Sequence, residues 1–485
     1  MELEPVFIGR TYSDFLFRPQ KGRVVSRRMV ALTTRLAGQL DLNIPVLAAN
    51  MDSVTEGDMA KTMALEGGIG IIHRAMPIDA QTREVRRVKR SHGYIVENPL
   101  CLPRAATIRE AREFIREHDI TGILIEEEIG GKRLAGLLSN RDIPWIDGFE
   151  DQKVEDFMTP VQRLTTRPPG ISVEAAEQIM YENRIEKLPL IDDNRRIQGL
   201  ITKKDIILYR QRPYSSKDEK GRLLVGAAIG ARGDYLERAT DLIGAGVDIL
   251  VIDIAHGHSE VMREAVENFR RRFGTRRLIC GNVGTAAGAL FLKEVGADAI
   301  KVGIGPGRGC RTRLETGAGV PQLQAIREAW CAVGESVPIV ADGGITDDKD
   351  IFMALMVGAS TVMLGSMLSA TDQAPGRVFE DPKTHEKKKI YRGMTSPQAV
   401  LEALYGLEPE AVTTALSTPA EGQEIQVPYK GSVVDILHRI CGHLRSAVSY
   451  AGEDTLAEAR KKIVQEAFKY LVPLSAASRQ ESYLR

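Results

Sequence analysis

From about Asp248 onward one unit keeps recurring in this chain. A short apolar, β-rich run ends in a glycine-rich or polar loop, and a stretch of helical character follows. The runs are DILVIDIAHGHS, RLICGNVGT, DAIKVGIGPG, VPIVADGGI and STVMLGS, separated by alanine-rich segments such as AAGALFLKEVGA and DKDIFMALMVGA. A continuous apolar strand is buried on both faces, so these runs predict a parallel sheet covered by helices. Repetition of the unit predicts an α/β fold, a (β/α)8 TIM barrel whose active site is built from loops at the strand C-termini. NIPVLAANMDSV and GGIGIIHRAM, near the N-terminus, read as earlier units of the same barrel.

The stretch from about Pro99 to Tyr209 breaks the pattern with a repeat of its own. LAGLLSNRDI (from Leu134) is echoed by IQGLITKKDI (from Ile197), 63 residues later, and TIREAREFI (from Thr107) by SVEAAEQIM (from Ser172). A repeat at this period means two copies of one small unit packed as a pair. RQRPYSSKDEKGR, which follows, reads as a linker. The expected organisation is barrel over 1–96, an inserted tandem module over 97–210, and barrel with flap and tail over 211–485.

Composition narrows the function. The formal net charge is zero and the pI is about 7.1, so no nucleic-acid partner is expected. The basic run REVRRVKR (Arg83 to Arg90) reads as a solvated helix face. The N-terminus has no signal-like apolar region and no run is long enough to span a bilayer, so the cytoplasm is expected and no membrane partner. Five cysteines, an odd number without a CxxC pair, argue against a disulfide framework or a zinc site.

One cysteine stands apart. In GIGPGRGCRTRLETGAGVPQ, residues 303 to 322, Cys310 lies between Arg308 and Arg311 in a run too rich in glycine for helix or strand. A loop that holds a thiol beside cations suits nucleophilic chemistry, because cations favour the thiolate. Cys101, Cys280, Cys331 and Cys441 read instead as buried, inert residues.

Several ordered motifs resemble the IMP dehydrogenase / GMP reductase family over nearly the whole chain. They are AANMDSV (Ala48 to Val54), GGIGIIH (Gly67 to His73), DIAHGHS (Asp253 to Ser259), GNVGTA (Gly281 to Ala286), the cysteine loop and VADGGI (Val340 to Ile345). MLGSML (Met363 to Leu368), YRGM (Tyr391 to Met394) and EGQEIQVPYKG (Glu421 to Gly431) complete the set. The inserted repeat resembles a pair of CBS domains.

The resemblance implies that Cys310 attacks C2 of a purine nucleotide, GMP or IMP, to form a covalent adduct, with Thr312 and Glu421 as its catalytic partners. Asp342 would hold the ribose hydroxyls. Gly344, Gly365 and Ser366 would cradle the phosphate with the Tyr391 hydroxyl, and Gly393 and Met394 would contact the base. Arg308 stands where the family commonly has a phosphate-binding Ser, and Arg311 where it has Thr; an arginine at 308 would grip phosphate bidentately or turn outward. No clean GxGxxG fingerprint opens a helix, so the dinucleotide is not expected on a Rossmann fold; the resemblance implies a nicotinamide cofactor over the barrel mouth, near Asp253, Ala255, His256 and Asn282. Carbonyls of Gly305, Gly307 and Cys310, with Glu481 from a neighbouring subunit, would hold K⁺.

The resemblance covers two activities. IMP dehydrogenases hydrolyse the adduct with water activated by an Arg-Tyr pair on a mobile flap; GMP reductases expel ammonia and take hydride from NADPH. The flap segment between Gly393 and Gly422 contains no arginine, and Tyr405 sits in LYGLE rather than after an Arg. Its hydrophobic residues read as a static helix. GMP reductase is therefore the expected activity, although the inserted module and the tail SAASRQESYLR look more dehydrogenase-like. At the module, Asp142 and Asp205 would hold the ribose of regulatory ATP or GTP. A homo-oligomer, tetramer or octamer, is implied. A non-catalytic nucleotide sensor is disfavoured because Cys310, Thr312, Asp342, Tyr391 and Glu421 are all present.

Overall fold

A computed structural model describes residues 2–483 apart from 92, 98, 119, 147, 398 and 400–419. The chain forms two compact units, one of Met1–Lys89, Tyr214–Ser216 and Leu223–Arg485, the other of Arg90–Pro213 and Lys217–Arg222.

In the first unit eight parallel strands close into a barrel. In chain order they are β1 (Val46–Ala48), β2 (Ile69–Ile72), β3 (Gly226–Ile229), β4 (Ile249–Asp253), β5 (Leu278–Val283), β6 (Ala299–Val302), β7 (Ile339–Asp342) and β8 (Thr361–Leu364). β8 closes on β1 with Val362 opposite Val46. Seven of these strands lie in the runs read from the sequence. β3 does not, because Gly-Ala-Ala-Ile carries little of the β-branched signal that marks a strand. Small residues are needed there: a Cβ at Gly226 would lie 2.4 Å from the Ile71 side chain.

The barrel interior follows the period of two that strands impose. Ile249 and Val251, Ile279, Ala299, Val340, Met363 and Leu47 form one buried cluster, while Leu250, Ile252, Cys280, Ile300 and Val362 face the surrounding helices in another. Carried one step further toward the strand C-termini, the inward alternation reaches Asp253, Gly281, Lys301 and Asp342. Apolar layers thus give way to a charged layer at the mouth.

The helix Ile78–Ser91 exposes Arg83, Arg86 and Arg87 as expected of a solvated face. Lys89 is the exception, buried and 2.6 Å from Asp248. After the barrel, β9 (Phe379–Glu380), β10 (Lys387–Arg392) and β11 (Glu424–Pro428) form an antiparallel sheet. Most of the flap between β10 and β11, including Tyr405 and the expected static helix, lies outside the described residues.

The second unit carries the repeat as structure. Each copy has a helix, Ile108–His118 or Val173–Glu182, followed by an antiparallel hairpin, Gly122–Glu126 with Leu134–Ser139 or Lys187–Ile191 with Ile197–Thr202. Both hairpins slip register at matching places, Ile125/Glu126 and Leu190/Ile191. The copies then diverge. Lys203–Gln211 is helical, whereas the matching stretch of the first copy stays in turns around Pro144, whose ring cannot continue a helix.

Candidate active site

The cysteine loop follows β6. Gly303 opens it at φ +151°, and a Cβ there would lie 2.0 Å from the Asp342 carbonyl oxygen, so only glycine fits. The loop is pinned to the segment entering β11. Cys310 pairs with Gly422 in an antiparallel bridge, Gln423 donates its N–H to the Gly309 carbonyl at 3.0 Å, and Gly393 donates to the Gln423 carbonyl at 3.0 Å. This pinning brings Glu421 to the start of the short helix Thr312–Thr316. The Thr312 hydroxyl donates to Glu421 Oε2 at 2.6 Å, and Cys310 Sγ lies 3.2 Å from the same hydroxyl. A hydroxyl has one proton to give. With that proton on the carboxylate side, the thiol is the donor in its own contact, and the chain runs from S–H through O–H to carboxylate.

The expected flanking cations divide. Arg311 is paired with Glu315 at 2.7 Å rather than held against the thiol. Arg313, which sequence reasoning passed over, donates to the carbonyls of Ile304 and Val320 inside the loop and lies within electrostatic reach of Cys310. Burial lowers the Arg313 pKa, and the nearby cysteine opposes that shift. The same stretch of sequence carried the signal, one helical step beyond Cys310.

The candidate nucleotide-binding residues converge on this loop. Tyr391 is 3% exposed; burial and then the Asp342 charge push its hydroxyl well above the usual range, with Arg308 opposing and Cys310 reinforcing. One hydroxyl thus senses Asp342, Arg308 and Cys310 together. It also lies 3.0 Å from where a Cβ at Gly365 would stand, so the loop after β8 needs glycine there. Gly344 adopts φ +76° in the turn after β7, against Pro306 of the cysteine loop. Lys430, also passed over, donates from Nζ to the carbonyls of Ser366 and Met367 and so fixes the same loop. Met394 Sδ accepts the Asp52 N–H at 3.4 Å, and Asp52 pairs with Arg392, so the loop after β1 joins the cluster.

At the mouth, Asn282 donates to the Gly303 carbonyl at 2.7 Å and to Asp342 Oδ2 at 3.0 Å. Asp253 accepts from Asn50 at 2.6 Å. Lys301, absent from the sequence reading, reaches both carboxylates: Nζ is 3.0 Å from Asp253 Oδ1 and 2.6 Å from Asp342 Oδ2. Burial alone would lower its pKa, but the two carboxylates outweigh it and the net shift is upward.

Residues 9–484 match the IMP dehydrogenase / GMP reductase domain. The chain belongs to the IMP dehydrogenase / GMP reductase family. It is 43% identical to the inosine-5'-monophosphate dehydrogenase of Nitrosopumilus maritimus (strain SCM1) over 458 residues, 93% of this chain and 94% of that one. It is 42% identical to the Aquifex aeolicus (strain VF5) enzyme of the same name over 462 residues, 94% of this chain and 92% of that one. Among solved structures it resembles a cysteine-to-alanine variant of Trypanosoma brucei GMP reductase in complex with guanosine 5'-monophosphate, with a TM-score of 0.85 and 38% identity over 98% of this chain and 97% of that one. The T. brucei GMP reductase in complex with guanosine 5'-triphosphate gives a TM-score of 0.76 at 34% identity, over 96% of this chain and 98% of that one. The protein is thus an oxidoreductase of this family, whose enzymes use a nicotinamide cofactor and GMP or IMP.

The remaining candidates have definite places in this family member. Ala255 and His256 are exposed in the loop after β4, and His258 packs on the Phe291 ring at 4.9 Å. The Gly307 carbonyl accepts the Cys310 N–H at 2.9 Å in the turn that also holds Gly305 at φ +79°. Glu481 lies on the terminal helix Ala476–Tyr483. In the second unit Asp142 accepts from the Ser139 N–H and hydroxyl at 2.8 and 2.7 Å, and Asp205 from the Thr202 hydroxyl at 2.5 Å, each closing the turn after a strand. Burial raises the Asp205 pKa. Cys280, Cys331 and Cys441 are buried; Cys101 is half-buried. No helix among the described residues is long and apolar enough to cross a membrane.

Proposed function

We propose that this protein is a GMP reductase, converting GMP, NADPH and a proton to IMP, ammonia and NADP⁺. The observation that carries this reading is the make-up of the flap. From Gly393 to Tyr429 the sequence has no Arg, Lys or His. Hydrolysis of the adduct needs a base to activate water, since neutral water is a poor nucleophile. Ammonia release needs a proton donor instead, and the Cys310–Thr312–Glu421 chain supplies one.

The chemistry balances on these residues. The Cys310 proton passes through Thr312 to Glu421, and the thiolate forms a bond to purine C2. The proton returns to the departing amino group, the C2–N bond breaks and ammonia leaves. When bound, the cofactor would supply the hydride that reduces C2; the C–S bond then breaks, the electron pair returns to sulfur, and a proton from solvent restores the Cys310 thiol. Asp342 holds the ribose, and Gly344, Gly365, Ser366, Tyr391 and Arg308 the phosphate. Gly393 and Met394 hold the base. Asp253, Ala255, His256 and Asn282 hold the cofactor; Asn282 Oδ1, buried without a partner, fits an amide donor. The Gly305, Gly307 and Cys310 carbonyls suit K⁺, with Glu481 of a neighbouring subunit in a tetramer or octamer. The inserted unit, read as a CBS pair, binds ATP or GTP at Asp142 and Asp205 and so regulates the barrel.

IMP dehydrogenase is the second reading, favoured by the names of the relatives at 42–43% identity. Nicotinamide absorbance decides. One cuvette holds GMP and NADPH, another IMP, NAD⁺ and K⁺. NADPH oxidation with ammonia release supports reductase. NAD⁺ reduction with XMP formation overturns it. Activity in neither would return the nucleotide-sensor reading.

A further inference from the structure

In the barrel's charged layer Lys301 reaches two carboxylates. It is 2% exposed, and both Asp253 Oδ1 and Asp342 Oδ2 lie within 3.0 Å of its Nζ. The strand register explains how it reaches so far. Gly281 on β5 stands opposite Asp253 on β4 and opposite Lys301 on β6. A Cβ at Gly281 would lie 2.6 Å from the Lys301 Cβ and 2.7 Å from its carbonyl oxygen. The missing side chain leaves the line from β6 across β5 to β4 open.

We infer that Lys301 is a positioning residue that couples the nucleotide subsite to the cofactor subsite by sharing its charge between Asp342 and Asp253. This rests on the reading of Asp342 as ribose-binding and Asp253 as cofactor-side. Two carboxylates so close to one buried point repel, and a cation between them offsets that repulsion. One ammonium serves both. When ribose hydroxyls donate to Asp342, that carboxylate draws less on Lys301, and the ammonium turns more fully to Asp253. Asn50 on Asp253 and Asn282 on Asp342 are neutral donors and cannot replace the shared charge. The coupling is reciprocal, as any linkage between binding sites must be.

The test uses an unreactive pair, IMP and NADPH, so that binding is read apart from turnover. IMP affinity is measured by calorimetry with and without saturating NADPH, in the wild type, Asp253→Asn, Lys301→Met and the double variant. In the wild type NADPH shifts IMP affinity by roughly fivefold or more, within the usual span of site coupling. Asp253→Asn, altered on the cofactor side, shifts IMP affinity in the wild-type background and not in the Lys301→Met background. A merely structural lysine would lower the melting temperature of Lys301→Met and leave the effect of Asp253→Asn intact. That outcome overturns the inference. If Lys301→Met does not fold, Asp253→Asn alone decides, and an unchanged IMP affinity overturns it. Turnover of GMP by the wild type is checked separately. An active wild type with an indifferent Asp253→Asn sinks the coupling alone, whereas a wild type that binds neither GMP nor IMP sinks the functional reading as well.

Discussion

The Thr312 hydroxyl hydrogen-bonds Glu421 at 2.6 Å across 109 residues of chain, and the same hydroxyl is 3.2 Å from the Cys310 sulfur. The three groups form a directional proton path because the carboxylate fixes which way the hydroxyl points. The path lies at the edge of the cysteine loop, held there by the Cys310–Gly422 bridge.

Removing the middle or the end of that path should strand the proton. Thr312→Ala and Glu421→Gln are expected to lower kcat for GMP reduction by about 10²- to 10⁴-fold, the usual weight of general acid–base catalysis, with KM for GMP within about threefold. Steady-state NADPH oxidation reads both. A large rise in KM with kcat unchanged would assign the pair to binding instead.

Cys310 should be the thiol that matters, and thiol labelling can show it. Burial pushes the Cys101 and Cys441 thiols up to about 11. A thiol with that pKa is ~0.1% thiolate at pH 8, and only the thiolate reacts. Cys280 and Cys331 are likewise raised by burial. Iodoacetamide at pH 8 is expected to modify Cys310 first, with GMP protecting it, as peptide mass spectrometry would record. Labelling of Cys101 and Cys441 should climb only as pH rises toward 11. Cys310→Ala should abolish turnover and keep GMP binding.

The barrel was legible in the sequence because buried parallel strands are continuous apolar runs, and seven of eight announced themselves that way. β3 stayed hidden because Gly226, Ala227 and Ala228 are chosen for lack of volume, and small residues carry no strand signal. The candidate site was legible through motifs, and Cys310, Thr312 and Glu421 do meet. What sequence did not reveal is where charges point. Arg311 flanks the thiol in sequence yet bonds to Glu315, while Arg313 turns back into the loop. Lys301 sits in an apolar run, DAIKVGIG, and reads as an ordinary strand residue until the register places it between two aspartates.

Gly393, where the cysteine loop is pinned, should tolerate no side chain. A Cβ at Gly393 would lie 2.3 Å from the Gly309 carbonyl oxygen, and backbone cannot step aside as a flexible side chain can. Gly393→Ala must push the cysteine loop off the segment entering β11 and break the Gly393–Gln423 bond. Loss of that hydrogen bond alone costs about 1 kcal/mol. Activity should fall by at least about tenfold while the barrel still melts cooperatively; a variant with wild-type kcat would show that the pinning is dispensable.

The inserted unit gives the last prediction. Asp205 caps the helix Lys203–Gln211 together with Thr202, whose hydroxyl both donates to the carboxylate and accepts the Asp205 N–H at 3.2 Å. The carboxylate is thus tied to the turn, and on the proposed reading it also accepts a ribose hydroxyl. Asp205→Asn keeps the size and the cap but loses the charge, so the unit should stay folded with a cost of about 1 kcal/mol or less. Adding ATP or GTP should raise the melting temperature of the wild type, because a ligand that binds only the folded state stabilises it. In Asp205→Asn that rise should shrink to less than about half. An equal rise in both proteins would place the nucleotide elsewhere, and no rise in either would mean that this unit binds neither nucleotide.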